Sequence, residues 1–370
     1  MTTFSALLKR SVSFCRKEPV FVISFLAAAV AGFCSPPHVE AIHWSVIGTL
    51  FSLMLVCLAY EECNVLQAVA GAALSAFATP RKLGLAMIAA TGVLAMFVTN
   101  DVALLTVVPL TLLMARMSGR DPFLLVILET LAANLFSALT PFGNPQNLFL
   151  YAYYSMSPAE FFIIMAPLGA GSIVLLVAAN HLLNRGEPYP VQREKTAVRR
   201  PLLLTAATAA FVLTLLAVFR VLSVWLAAGV TVLLLAFLAP KLFRRADYLL
   251  LGTFVLFFLF TDSLTGIPVV REALVALLGT PKAVLFTSVG LSQIISNVPA
   301  AVLLASFTPH YRELLIGVSV GGLGTVVASL ASLISYRLYS REYPPGRYLA
   351  VFTLINVAFL VPLLLVMAFL

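Results

Sequence analysis

Two short polar breaks, each set inside long apolar sequence, constrain this chain more than any other feature. The first is Phe97-Val98-Thr99-Asn100-Asp101-Val102-Ala103, followed further on by Thr140-Pro141-Phe142-Gly143-Asn144-Pro145-Gln146-Asn147. The second is Ile295-Ser296-Asn297-Val298-Pro299-Ala300-Ala301, followed by Thr325-Val326-Val327-Ala328-Ser329-Leu330-Ala331-Ser332. Hydrocarbon cannot hydrogen-bond a bare peptide group. Irregular backbone at membrane depth therefore persists only where protein covers it or where it lines a cavity.

The setting is a membrane. The chain is 61% hydrophobic and only 10% charged over 370 residues, and its apolar runs approach the length that crosses a bilayer. They fall at 19–35, 43–60, 83–117, 122–154, 159–184, 202–219, 223–240, 247–264, 281–308, 312–336 and 347–370. The formal net charge of +8 would suggest nucleic acid in a soluble chain. Here Lys9, Arg10, Arg16, Lys17, Arg81, Lys82, Arg185, Arg193, Lys195, Arg199, Arg200, Lys241, Arg244, Arg245, Arg337, Arg341 and Arg347 all lie between apolar runs. They read as topology signals, with no nucleic-acid partner. Cys15, Cys34, Cys57 and Cys63 have no metal-ligand spacing and read as packing residues. His38, His43, His181 and His310 form no cluster, and no hydrolase or nucleotide motif is present. No cofactor is expected, and an enzyme is disfavoured.

The runs 83–117 and 281–308 are each too long for one straight span and are broken near the middle. Re-entrant hairpins with polar tips at mid-membrane explain both. The runs 122–154 and 312–336 read as broken transmembrane helices. The expected fold is an all-α polytopic membrane protein of about nine spans plus two hairpins. Basic loops put the N-terminus, the linker 185–201, loop 241–246 and loop 337–347 in the cytoplasm. The first hairpin then opens inside and the second outside. The first apolar run reads as a retained anchor, and 61–82 as an amphipathic helix along the interface.

Matches between the halves keep their order. Gly48-Thr49-Leu50-Phe51 pairs with Gly252-Thr253-Phe254-Val255, Thr79-Pro80 with Thr280-Pro281, Asn100 with Asn297, Thr140 with Thr325, and Asn147 with Ser332. With opposite orientations this predicts an inverted-topology repeat, 1–184 and 202–370, joined by the basic linker 185–201. One such break per half is the pattern from which secondary transporters build a binding site.

A half-helix that ends at mid-membrane offers unpaired backbone groups and dipole charge to an ion. Thr99, Asn100, Ser296 and Asn297 are short polar residues that leave room for one. Gly143 permits a bend that a Cβ would oppose. Asp101 is an ionisable group deep in apolar sequence. It either coordinates a cation, takes up a proton, or caps the helix 102–117. Glu129 lies before the Gly143 break as a further candidate for coupling. Glu61, Glu62 and Asp262 read as solvated, and Arg220 as snorkelling from a short outer turn.

These motifs resemble the ion transporter superfamily: citrate and dicarboxylate permeases, divalent-anion/sodium symporters, arsenite permeases and NhaD-type antiporters. Within it the chain looks nearest to the short YbiR-type inner-membrane transporters. The resemblance implies a secondary transporter in the inner membrane that moves a small inorganic or organic anion by alternating access. The coupling ion would be sodium or a proton, and sodium/proton antiport is the alternative. It also implies a homodimer in the lipid bilayer. By motif match, Thr99, Asn100, Gly143 and Asn144 form one half-site, with Asn147 nearby. Ser296, Asn297, Ala328 and Ser329 form the other. Sodium would sit at Asn100, Gly143 and Asn297. The symporter branch carries Ser-Asn-Thr at both tips, whereas this chain has Thr99-Asn100-Asp101 and Ser296-Asn297-Val298. The Asn-Asp tip resembles the arsenite-permease and antiporter branches.

Overall fold

The computed structural model describes residues 19–76, 79–118, 121–184 and 197–369. Lys9, Arg10, Arg16, Lys17, Arg185, Arg193, Lys195 and Cys15 lie outside these, as does the linker up to residue 196. Among the described residues every regular element is helical. The first half contributes α1 (Pro19–Cys34), α2 (Trp44–Glu62), α3 (Val65–Ala76), α4 (Pro80–Val98), α5 (Asn100–Ser118), α6 (Phe123–Ser137), α7 (Pro145–Tyr153) and α8 (Pro158–Leu183). The second contributes α9 (Pro201–Val218), α10 (Val224–Leu238), α11 (Tyr248–Thr265), α12 (Pro268–Leu277), α13 (Pro281–Ile295), α14 (Asn297–Ala305), α15 (Tyr311–Gly321), α16 (Leu330–Ser340) and α17 (Pro345–Phe369).

Local chemistry sets these boundaries. Proline opens α4, α7, α8, α9 and α13 at the first helical position, where its missing N–H costs nothing. Ser157 and Glu160 form a reciprocal capping box at α8, worth about 1 kcal/mol. Thr79 and Thr280 stand at the N-caps of α4 and α13, each followed by proline. Each Thr-Pro pair noted in the sequence thus starts a helix.

Seven helices are long and apolar enough to cross a membrane among the described residues. They become up to eight if α12 and α13, bent by 110° across a short break, count as one. The chain is therefore a multi-pass, all-helical membrane protein. The sequence suggests about nine spans, and three causes account for the difference. Helices α1 and α10 are only 16 and 15 residues long. The runs 122–154 and 312–336 each divide into two short helices, α6 with α7 and α15 with α16, and contribute no full-length span. Against these losses, the run 83–117 divides into α4 and α5, each long enough to span by itself. Proline and two basic residues start α4 early, and Pro109 is accommodated inside α5. Helix α12 was not foreseen, because Arg271 and Glu272 interrupt its apolar pattern.

Packing sorts the helices into two sets. In one, α1 lies along α11, while α2, α9 and α10 pack on one another. In the other, α4 packs on α6, α13 on α15, and α5 on α16. Helices α5, α6 and α7 of the first half meet α14 and α16 of the second, which brings the polar breaks together. On the rim, Glu61 and Glu62 pair with Arg245, and Glu62 also with Arg200. Asp262 accepts from the His38 backbone at 2.7 Å. Arg220 is exposed in the turn after α9, where it donates to the carbonyls of Ser155 and Tyr151 and lies over the Tyr151 ring. Those carbonyls lie in the last turn of α7 and just beyond it, and the Tyr151 carbonyl also accepts from Met156 N.

Candidate functional site

Thr99 is a single non-helical residue between α4 and α5, and Ser296 is the same between α13 and α14. Their backbones are nearly identical: φ 88°, ψ 150° at Thr99 and φ 75°, ψ 154° at Ser296. Side chains rarely adopt this conformation, which costs about 1–3 kcal/mol and persists only where the surroundings enforce it. The surroundings are specific. Cys57 Sγ donates to the Val98 carbonyl at 2.9 Å, and Thr140 Oγ1 to the Met96 carbonyl at 2.9 Å. Gln293 donates to the carbonyls of Gly321 and Leu323 and accepts from Thr325 N, pinning α13 to the end of α15.

Immediately after each junction stands a buried asparagine, Asn100 or Asn297. Asn100 Nδ2 donates to Asn134 Oδ1 at 3.2 Å. The same oxygen accepts from Ser329 Oγ at 2.9 Å, and Asn134 Nδ2 donates to Ser332 Oγ at 3.1 Å. Asn134, on α6, therefore joins the first junction to the start of α16. Asn297 is buried against Gly322, where a Cβ would come within 2.7 Å of its Nδ2.

The segment between α6 and α7 continues the network. Ser137 Oγ donates to the Asn134 carbonyl, and Asn144 Nδ2 donates to Ser137 Oγ. Asn144 Oδ1 caps α7 by accepting from Asn147 N at 2.9 Å. Asn147 Nδ2 donates to the carbonyls of Ala138 and Thr140, while its Oδ1 accepts from Ser319 Oγ at 3.5 Å. Gly143 packs on this turn; a Cβ there would press on the Ser137 carbonyl and stand 2.6 Å from Thr140 Oγ1. Asn144 and Ser329 are both N-caps in extended conformation, φ −151° and −145°. Ser296 Oγ donates to the carbonyl of the buried Ala328 at 3.4 Å.

The structure thus gathers Asn100, Asn144, Asn147 and Ser329 into one buried network, with Ser296 bonded to Ala328 beside it. Asp101 is half-buried at the start of α5, its N–H bonded to Asn100 Oδ1 at 3.1 Å. Glu129 is fully buried outside this network, one turn and a half before Asn134 on α6, and bonds Thr111 Oγ1 at 2.5 Å. Asn134, Gln293, Ser137 and Ser319 were missed from the sequence. For Asn134 the available signal was a lone amide within Leu131-Ala132-Ala133-Asn134-Leu135. Side-chain amides, hydroxyls and exposed carbonyls form an oxygen-rich donor set of the kind hard cations prefer. Among the described residues no three His, Cys, Asp or Glu converge on a transition-metal site.

A family model described as "Citrate transporter" (CitMHS) matches residues 16–310. The chain belongs to the CitMHS citrate transporter family. It is 34% identical over 305 residues to inner membrane protein YbiR of Escherichia coli, covering 80% of each chain. It is 32% identical over 325 residues to an uncharacterized transporter of Methanocaldococcus jannaschii, covering 87% of this chain and 88% of that one. Its fold is similar to the crystal structure of the Alcanivorax borkumensis YdaH transporter, with a TM-score of 0.57, 14% identity, and 87% and 84% of the two chains covered. Membership in CitMHS makes the chain a membrane transporter and not an enzyme.

Proposed function

We propose that this chain is a secondary active transporter of a small anion or oxyacid, driven through alternating access by a sodium or proton gradient. The observation that carries this is the sharing of Asn134 Oδ1 by Asn100 and Ser329. A buried amide that links the helix breaks of both halves is costly in lipid and marks a solute pathway. The matched conformations of Thr99 and Ser296, and of Asn144 and Ser329, support an inverted repeat of 1–184 and 202–370 with two re-entrant hairpins at 83–117 and 281–308. Sodium would take oxygens near Asn100, Gly143 and Asn297, and the anion would lie between the two junctions. The family's description makes citrate the first anion to try. The protein would sit in the inner membrane with its N-terminus in the cytoplasm.

Asp101 favours a second reading, sodium/proton exchange. It is a half-buried carboxylate beside the first junction, and a carboxylate next to an anion site needs a cation or a proton to neutralise it.

The test is electrical. Purified protein is reconstituted in proteoliposomes on a solid-supported membrane, and sodium, pH and a panel of anions led by citrate are jumped separately. A current on the anion jump that needs sodium or a proton gradient supports the first reading. Silent anions, with proton movement on a sodium jump, support the second. No response to any jump overturns both.

A further inference from the structure

The central network leaves one buried acid unused. Glu129 has no exposed surface. Thr111 Oγ1, on α5, donates to its Oε1 at 2.5 Å. Its Oε2 has no hydrogen-bond partner among the described residues. Helices α4, α5, α8, α15, α16 and α17 pack against α6. Of their titratable side chains, Tyr348 on α17 lies near enough to Glu129 to feel its charge. Of the cations at that end of the molecule, Arg116 bonds Glu342, Arg347 lies over the Phe123 ring, and Arg337 and Arg341 stand at the end of α16. An ionised carboxylate with one half-satisfied set of lone pairs and no counter-charge is expensive at this depth.

Geometry separates the ion that could neutralise it. Sodium needs several oxygens converging on one point. Glu129 sits inside an uninterrupted helix whose carbonyls are used by the helix itself, so no such set forms. A proton needs one free lone pair, and Oε2 supplies it. The neighbouring hydroxyls also form a line. Tyr348 OH meets Ser335 Oγ at 3.3 Å and lies beside Thr130, next to Glu129 in the chain. Ser335 donates to the Ser332 carbonyl, and Ser332 Oγ accepts from Asn134. Along α6, Asn134 is about 7.5 Å from Glu129.

We propose that Glu129 is a proton-exchanging site of this transporter, separate from the central network and linked to it through Tyr348, Ser335 and Ser332. A proton from the aqueous phase forms an O–H bond at Oε2, the carboxylate becomes a neutral carboxyl, and no other bond changes. Release reverses the step. The neutral form is the one the dry helix interface tolerates. This rests on the reading of the chain as a coupled transporter and gives the proton to Glu129, leaving Asp101 for a cation.

Infrared difference spectra of the full chain in lipid nanodiscs, recorded across a pH titration, test it without any substrate. The expected result is a protonated-carboxyl C=O band in the wild type that vanishes on alkalinisation. It is missing from Glu129→Gln and shifted in Thr111→Val, which removes the donor at Oε1. A band unchanged in Glu129→Gln overturns the proposal. So does the absence of a titrating band in the wild type. A second arm uses citrate as the probe in proteoliposomes. In Glu129→Gln, uptake driven by a pH gradient drops to the level of protein-free liposomes, while citrate/citrate counterflow persists. Retained pH-driven uptake overturns the proposal. If wild-type protein moves no citrate, the citrate reading fails, and the infrared arm still decides whether Glu129 exchanges a proton.

Discussion

Asn134 donates its side-chain amide to Ser332 Oγ at 3.1 Å, tying α6 of the first half to α16 of the second. Its carbonyl oxygen serves Asn100 and Ser329 at the same time. Asn134→Leu keeps the volume and removes all three bonds. Each buried partner left unpaired costs about 1–3 kcal/mol, although interhelical bonds in membranes fall toward the lower end. The expected outcome is a lower unfolding temperature in detergent together with loss of transport. Asn134→Asp keeps the acceptor and unfolds closer to wild type.

Thr99 and Ser296 hold backbones that glycine adopts freely. Thr99→Gly and Ser296→Gly are expected to leave thermal stability unchanged or raise it by about 0.5–1 kcal/mol. Transport falls in both if the hydroxyls ligate the solute. Thermal unfolding and uptake measured on the same preparations separate the two effects; a large loss of stability in both variants would contradict the strain argument.

The two close-packed glycines should respond differently. At Gly143 an added Cβ meets the fixed carbonyl of Ser137, so Gly143→Ala is expected to destabilise by about 1–3 kcal/mol. At Gly322 the obstacle is the movable amide of Asn297, 2.7 Å away. Gly322→Ala should fold nearly as well as wild type but lose transport, because Asn297 must turn. Expression, unfolding temperature and uptake of the pair check this.

Glu342, in the loop before α17, accepts from Arg116 Nε at 2.6 Å. The guanidinium holds its carboxyl below the usual carboxylate range. The sign follows: the contribution to stability is complete above the ordinary carboxylate value and is lost as pH falls through the lowered one. Arg116 is largely exposed, so the effect is small. Glu342→Gln should unfold slightly earlier than wild type at neutral pH, and the two curves should converge in acid.

Much of this was legible in the sequence, for a physical reason. Apolar runs that must cross lipid are long and continuous. The boundaries of α2, α8, α9, α11 and α17 therefore match the runs at 43–60, 159–184, 202–219, 247–264 and 347–370 within two residues. The helix junctions at Thr99 and Ser296 fall inside the polar breaks because only short polar residues interrupt those runs. The ends of α6 and α15 were harder to place. α15 stops at Gly321, before the polar segment at 325–332 begins, because Gln293 takes the carbonyls of Gly321 and Leu323 from the other side. Asn134 and Gln293 were invisible for a related reason. Each is a single polar residue inside an apolar helix, and its partners lie far away in the chain, so no local pattern announces it. Asp101 and Glu129 stood out as charges, but sequence could not say that one lies beside the network and the other apart from it.

Thr99 and Ser296 each connect two helices with one residue, and one residue has two soft dihedrals. A connection that short has no slack. A loop can open while the elements it joins stay still, but here a translation of the end of α4 or α13 carries the start of α5 or α14 with it. Asn100 and Asn297 are thereby held in register with the helices before them as well as those they begin. In the alternating-access reading proposed above, the two halves of the polar centre would travel with whole helices.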